Sequence, residues 1–89
     1  MSRMIITHNV VDIDNWLSHK NERAGAIAGM GGSNVVDLVA QDGSNAAAVS
    51  AEVDDVEALL TALASAPPEL QTAMEKHGVL MPMVIYVEK

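Results

Sequence analysis

From Arg3 to Val10, Met4, Ile6, His8 and Val10 alternate with Ile5, Thr7 and Asn9, the two-residue period of a β-strand. After Asp12 the period lengthens: Ile13, Trp16, Leu17, Ala24 and Ile27 recur at helical spacing and give one buried face. Asp12 or Asp14 can cap that helix, and Gly31-Gly32 stops it just past Gly29. Two apolar runs follow, at 33–41 and 46–53, joined by Asp42-Gly43-Ser44-Asn45, a hairpin signal. A second helix starts at Asp54 or Asp55, with Val56, Leu59, Leu60 and Leu63 on one face. Pro67-Pro68 break it, and Pro68 can open a third helix, because its missing N–H costs nothing in a first turn. This helix aligns Leu70, Ala73, Met74 and His77 and stops at Gly78. Val79 to Glu88 form the last strand, where Pro82 calls for an edge or bulge position.

The order βαββ(αα)β predicts an α+β, ferredoxin-like domain over residues 1–89: a four-stranded antiparallel sheet with helices on one face. Val35, Val39, Ala47, Val49, Ala51, Val53, Ile85 and Val87 are read as apolar residues on both sheet faces, more than one helical layer covers. A second copy of the chain is the simplest cover. At 89 residues the chain buries only about 60–65% of its unfolded surface and gains from such a partner.

Composition narrows the classes of function. The net charge of −7, with only Lys20 and Arg23 close together among five basic residues, argues against nucleic acid. Trp16 and Tyr86 are the only aromatics, too few for a base-stacking sheet. The absence of cysteine excludes disulfides, thiolate metal sites and thiol nucleophiles. No apolar run approaches the roughly 18 residues of a membrane span, and Thr7, His8 and Asn9 interrupt any signal-peptide core, so a cytoplasmic location is expected.

Candidate chemistry gathers on the first helix. At about 100° per residue Lys20 falls inside the apolar stripe, flanked by His19 and Arg23. A buried-side lysine must reach water or meet an anion. One reading is a pocket for a carboxylate, enolate or other oxyanion; the other is a solvated helix end ion-paired to Glu22 or Asp37. His8, on a strand, can move protons at neutral pH if it faces a cavity, or can be a hydrogen-bonded core residue. A one-residue register change would exchange it with Thr7. His77 sits where a histidine favours the last carbonyls of a helix. Asp37 and Glu52 interrupt apolar strands and could serve as a base, but edge-strand solubility is the simpler expectation. No metal is expected, since His8, His19 and His77 form no recognised ligand spacing and the six methionines suit core filling. The small residues Ala46-Ala47-Ala48-Val49-Ser50-Ala51 leave space for a cavity, or for close packing.

His8-x-Val10-x-Asp12-Ile13-Asp14-x-Trp16, Pro68-Glu69-Leu70-x-x-Ala73-Met74 before Gly78-Val79, and Val84-x-Tyr86-Val87-Glu88 resemble the dimeric α+β barrel superfamily, which includes antibiotic-biosynthesis-type monooxygenases. The resemblance implies a homodimer whose sheets face each other, and a cavity between each sheet and its helices toward which His8 looks. Haem-degrading members share a strand-one asparagine (Asn9) and a late-helix histidine (His77), but carry a tryptophan on a later helix, unlike Trp16. The expected function is binding of a small anionic or carbonyl-bearing metabolite, with cofactor-independent oxygenation, isomerisation or cyclisation. His8 would transfer the proton; His19, Lys20, Arg23, Asn9 and His77 would supply contacts, and Trp16 a wall. The alternatives are a non-catalytic binding or dimerisation module and, third, a haem-handling protein.

Overall fold

The computed structural model describes residues 2–65 and 68–89. The chain runs β1 (Ser2–Val10), α1 (Ile13–Ser18), α2 (Lys20–Gly29), β2 (Gly32–Val39), β3 (Ala46–Val53), α3 (Val56–Ala64), α4 (Pro68–His77) and β4 (Val79–Val87). The strands form one antiparallel sheet in the order β2-β3-β1-β4. The α+β, ferredoxin-like expectation holds. Ala66 and Pro67, where the break before α4 is expected, lie outside the described residues.

Local signals place the element ends. The Asp12 carboxylate accepts from the Asp14 and Asn15 amides at 3.0 and 3.5 Å, and that of Asp55 from Ala58 at 3.0 Å, satisfying first-turn donors. Gly78 ends α4 at φ +75°, in the left-handed region that glycine enters without steric cost. The first helix differs from the expected continuous one. Ser18 Oγ donates to the Asn15 carbonyl at 2.6 Å, and His19, at φ −101° and ψ 14°, separates α1 from α2. Side-chain bonding to the backbone competes with the helical ladder. The break resets the helical phase, so Lys20 is exposed instead of lying in the apolar stripe.

All helices described lie over one face of the sheet. Met4, Ile6, Val49, Ala51, Val53, Ile27 and Leu59 form the main core, with Val35, Met83, Ile85 and Val87 packed against it. A second cluster joins Val10, Ala47 and Trp16, the last with no solvent exposure. Small Ala47 thus makes room for an indole.

Of the eight residues read as apolar on both faces, seven turn toward the helices; Val39 is opposite Ala47 at the strand end and is 46% exposed. A register shift between Ser33 and Val36, with Asn34 at φ 51°, changes the parity of β2, which strand alternation alone does not reveal. The outer face is apolar all the same, through other residues: Val36, Leu38, Val84 and Tyr86 are exposed, each paired in register with Ser50, Ala48, Thr7 or Ile5. Pro82 meets both of its expectations: β4 is an edge strand, and its register with β1 shifts between Thr7 and Asn9. Among the described residues no helix is long and apolar enough to cross a membrane.

Candidate ligand site

Arg23 is the centre of the polar groups under the helices. Its side chain, like that of Asp37, is only 9% exposed, and its Nε donates to Asp37 Oδ1 at 3.0 Å. Nη2 donates to the Trp16 carbonyl at 3.0 Å, near the open end of α1, and Nη1 meets His77 Nδ1 at 3.2 Å. The guanidinium carbon lies 4.0 Å from the Trp16 ring centroid, a cation–π contact. Asp37 is therefore not a solubility residue: β2 turns it inward as counter-ion to Arg23. Of the two readings of Arg23, the Asp37 pair is present, but buried instead of solvated.

These contacts fix protons. A guanidinium only donates, so His77 Nδ1 accepts and the neutral ring carries its hydrogen on Nε2. Burial first, then Arg23 and His19, lower the His77 pKa below the ordinary imidazole value, against an opposing pull from Glu22. His77 Nε2 is buried without a hydrogen-bond partner, as is Trp16 Nε1. The His77 ring stacks on His19, with centroids 4.6 Å apart and planes 5° from parallel.

His8 stands edge-on to Trp16 at 5.7 Å. A carbonyl only accepts, so the 3.1 Å contact of His8 Nδ1 with the Asn9 carbonyl puts the hydrogen on Nδ1 and leaves Nε2 with a lone pair. Burial lowers the His8 pKa, opposed by the Asn9 hydrogen bond and reinforced by Arg23.

A cavity of about 80 Å³ lies between sheet and helices. The sheet contributes Met4, Ile6, His8, Val49 and Met83; the helices contribute Arg23, Ile27, Leu59, Leu70, Met74 and His77. His8, Arg23 and His77 are its polar lining, so the structure joins three of the seven sequence-predicted site residues there. Trp16 backs two of them, and His19 stacks on the third. Asn9 is exposed and lines a groove on the outer sheet face with Thr7, Leu38 and Val84. Lys20 is exposed and lines none of these spaces. Glu22 was named only as an ion-pair partner, yet its Oε2 lies 3.5, 3.7 and 3.3 Å from His19, His77 and Lys76. Its i, i+3 spacing from His19 was the available signal.

A sheet of this strand order with helical pairs over one face defines a ferredoxin-like fold. The fold is that of antibiotic biosynthesis monooxygenase structures. One such crystal structure matches with a TM-score of 0.67 at 14% identity, over 100% of this chain and 97% of that one. SnoaB, a cofactor-independent oxygenase from Streptomyces nogalater, matches at TM-score 0.67 and 18% identity, over 99% of this chain and 90% of its own. A putative antibiotic biosynthesis monooxygenase from Nitrosomonas europaea gives 0.60 at 14%, over 100% and 97%. At these identities the likeness is one of fold. No protein-family model matches the sequence, and comparison with curated proteins gives no match.

Proposed function

We propose that two copies pair through their outer sheet faces, and that each cavity binds a small, uncharged, carbonyl- or phenol-bearing molecule from which His8 removes a proton. The observation that carries this reading is His8 itself: a buried ring on the cavity wall, held by Asn9 in the tautomer that leaves Nε2 able to accept. The lowered pKa keeps that nitrogen unprotonated at neutral pH. Arg23 is already paired with Asp37, so the site offers little net charge to a substrate that arrives as an anion. It instead favours charge that develops during the reaction, an enolate or phenolate beside the guanidinium. Oxygenation, isomerisation and cyclisation can all begin from such an anion, and the cofactor-independent oxygenase among the similar folds fits this class. Haem handling finds less support, because drug-sized ligands alone occupy sites of about 300–1,000 Å³ and Arg23 engages His77.

The test is exchange of the α-protons of cyclohexanone into D2O, followed by NMR. The native protein should exceed the buffer rate, and His8→Gln should lose about 10²–10⁴-fold of that excess with little change in melting temperature. If His8→Gln lowers the melting temperature and the native protein gives no excess exchange, His8 is structural. The non-catalytic module is then the better account, a reading favoured by the pairing of Arg23 with Asp37 and His77.

A further inference from the structure

On the far side of His77 from Arg23, three potential ligands from two helices converge. His19 lies at the junction of α1 and α2, Glu22 one turn later, and His77 in the last turn of α4. One ligand atom from each lies within 4.8 Å of the others. We propose that His19, Glu22 and His77 form a site for a divalent cation of the Zn²⁺ class, which ties α4 to α2. The site does not depend on any role for His8.

Distances support it. Glu22 Oε2 is 3.5 Å from His19 Nδ1 and 3.7 Å from His77 Nε2. Tetrahedral ligands at bond lengths of about 2.1 Å are about 3.4 Å apart, so two edges of the tetrahedron are nearly in place. The second observation is the His77 nitrogen itself. The His77 side chain is only 6% exposed, and its Nε2 is held only by the Glu22 carboxylate at 3.7 Å, beyond ordinary hydrogen-bond length. A buried nitrogen so loosely engaged is open to a cation that displaces its hydrogen. Glu22, 47% exposed, leaves a route inward and room for water to complete the coordination. Two imidazoles and one carboxylate suit Zn²⁺, Co²⁺ or Ni²⁺, and do not suit Ca²⁺, which takes oxygen ligands.

Three adjustments accompany binding, and each has a consequence. The two rings are parallel, so one must turn about Cβ–Cγ before both lone pairs converge. His19, one-fifth exposed, has the room. Lys76, 3.3 Å from Glu22 Oε2 and 57% exposed, swings into solvent as the cation takes over its charge. The third adjustment is protonic. Arg23 Nη1 donates to His77 Nδ1, so for Nε2 to ligate its hydrogen leaves to solvent and the ring binds as an imidazolate that still accepts from Arg23. Affinity therefore rises with pH, more steeply than for two histidines free of such a donor. Bound metal ties the end of α4, whose Leu70 and Met74 wall the cavity, to α2.

The experiment uses tag-free, metal-stripped full-length protein at pH 7.5, titrated with Co²⁺ for its d–d absorption and with Zn²⁺ for its melting temperature. The expected result is one Co²⁺ per chain with a tetrahedral-type band, and a melting temperature raised by about 5 °C or more at 100-fold excess of Zn²⁺ over Kd. His19→Ala and Glu22→Gln, both at partly exposed positions, should each weaken binding at least tenfold while retaining the native fold, and so should a change to pH 6. No Co²⁺ band with no thermal shift at millimolar metal overturns the proposal. So does binding that both variants retain, which would place the cation on unrelated surface carboxylates.

Discussion

Arg23 ties four elements together through one planar group. It reaches Asp37 on β2, the Trp16 carbonyl and ring on α1, and His77 on α4. A buried ion pair is weak evidence of net stabilisation, because desolvation opposes the Coulomb gain, but removing one partner strands the other charge. Asp37→Ala should accordingly cost about 3–5 kcal/mol in chemical denaturation. Replacing both members by apolar side chains, as in Arg23→Met with Asp37→Leu, should cost less than Asp37→Ala alone. A double variant worse than the single one would mean that the guanidinium's bonds to Trp16 and His77 outweigh the ion pair.

At the scale of elements, α4 is held to the rest of the fold by a few specific groups. His77 accepts from Arg23, Asn15 Nδ2 donates to the Lys76 carbonyl at 3.1 Å, and the Val11 amide donates to the Gly78 carbonyl at 2.9 Å. The pKa values of His8 and His77 are both lowered on folding. Between the folded and unfolded pKa values the unfolded chain binds more protons, so stability increases with pH there. The contribution is complete above about pH 6.5, the ordinary imidazole value, and is lost as pH falls toward the folded values. Arg23, His19, Glu22 and Lys76 surround His77, and Glu22, whose own pKa is lowered chiefly by its hydrogen bond with Lys76, titrates further into acid. Melting temperature should therefore drop between pH 7 and pH 5, and His77→Gln should flatten that slope even if it lowers stability throughout. An unchanged slope would place the pH dependence elsewhere.

At the scale of the whole molecule, the outer sheet face is where the proposed pairing of two copies is tested. Val36, Leu38, Val84 and Tyr86 are each 46% exposed or more on adjoining rows of one sheet. An exposed face with this many large apolar side chains marks an interaction site more often than a free surface. Sedimentation at micromolar concentration should find a dimer, and Leu38→Lys combined with Val84→Lys should give a monomer with native helical content. A native monomer at these concentrations would remove the sheet-to-sheet pairing.

The order and type of the elements were legible along the chain because periodicity, capping aspartates and terminal glycines act locally. Asp12, Asp55, Pro68 and Gly78 act at the positions their chemistry suggests. His8 and the Leu70, Ala73, Met74, His77 face were also legible, since strand and helix periods settle which residues share a side. The break at His19 and the extra residue around Asn34 were not, because each shifts the phase of an otherwise regular pattern. That is why Lys20 falls outside the site and Asp37 falls inside it. The meeting of Trp16, Arg23, Asp37 and His77 belongs to the tertiary structure alone. Their contacts span up to 54 positions of sequence, and only packing of α1, α2 and α4 over β2 and β1 brings such groups within hydrogen-bond reach.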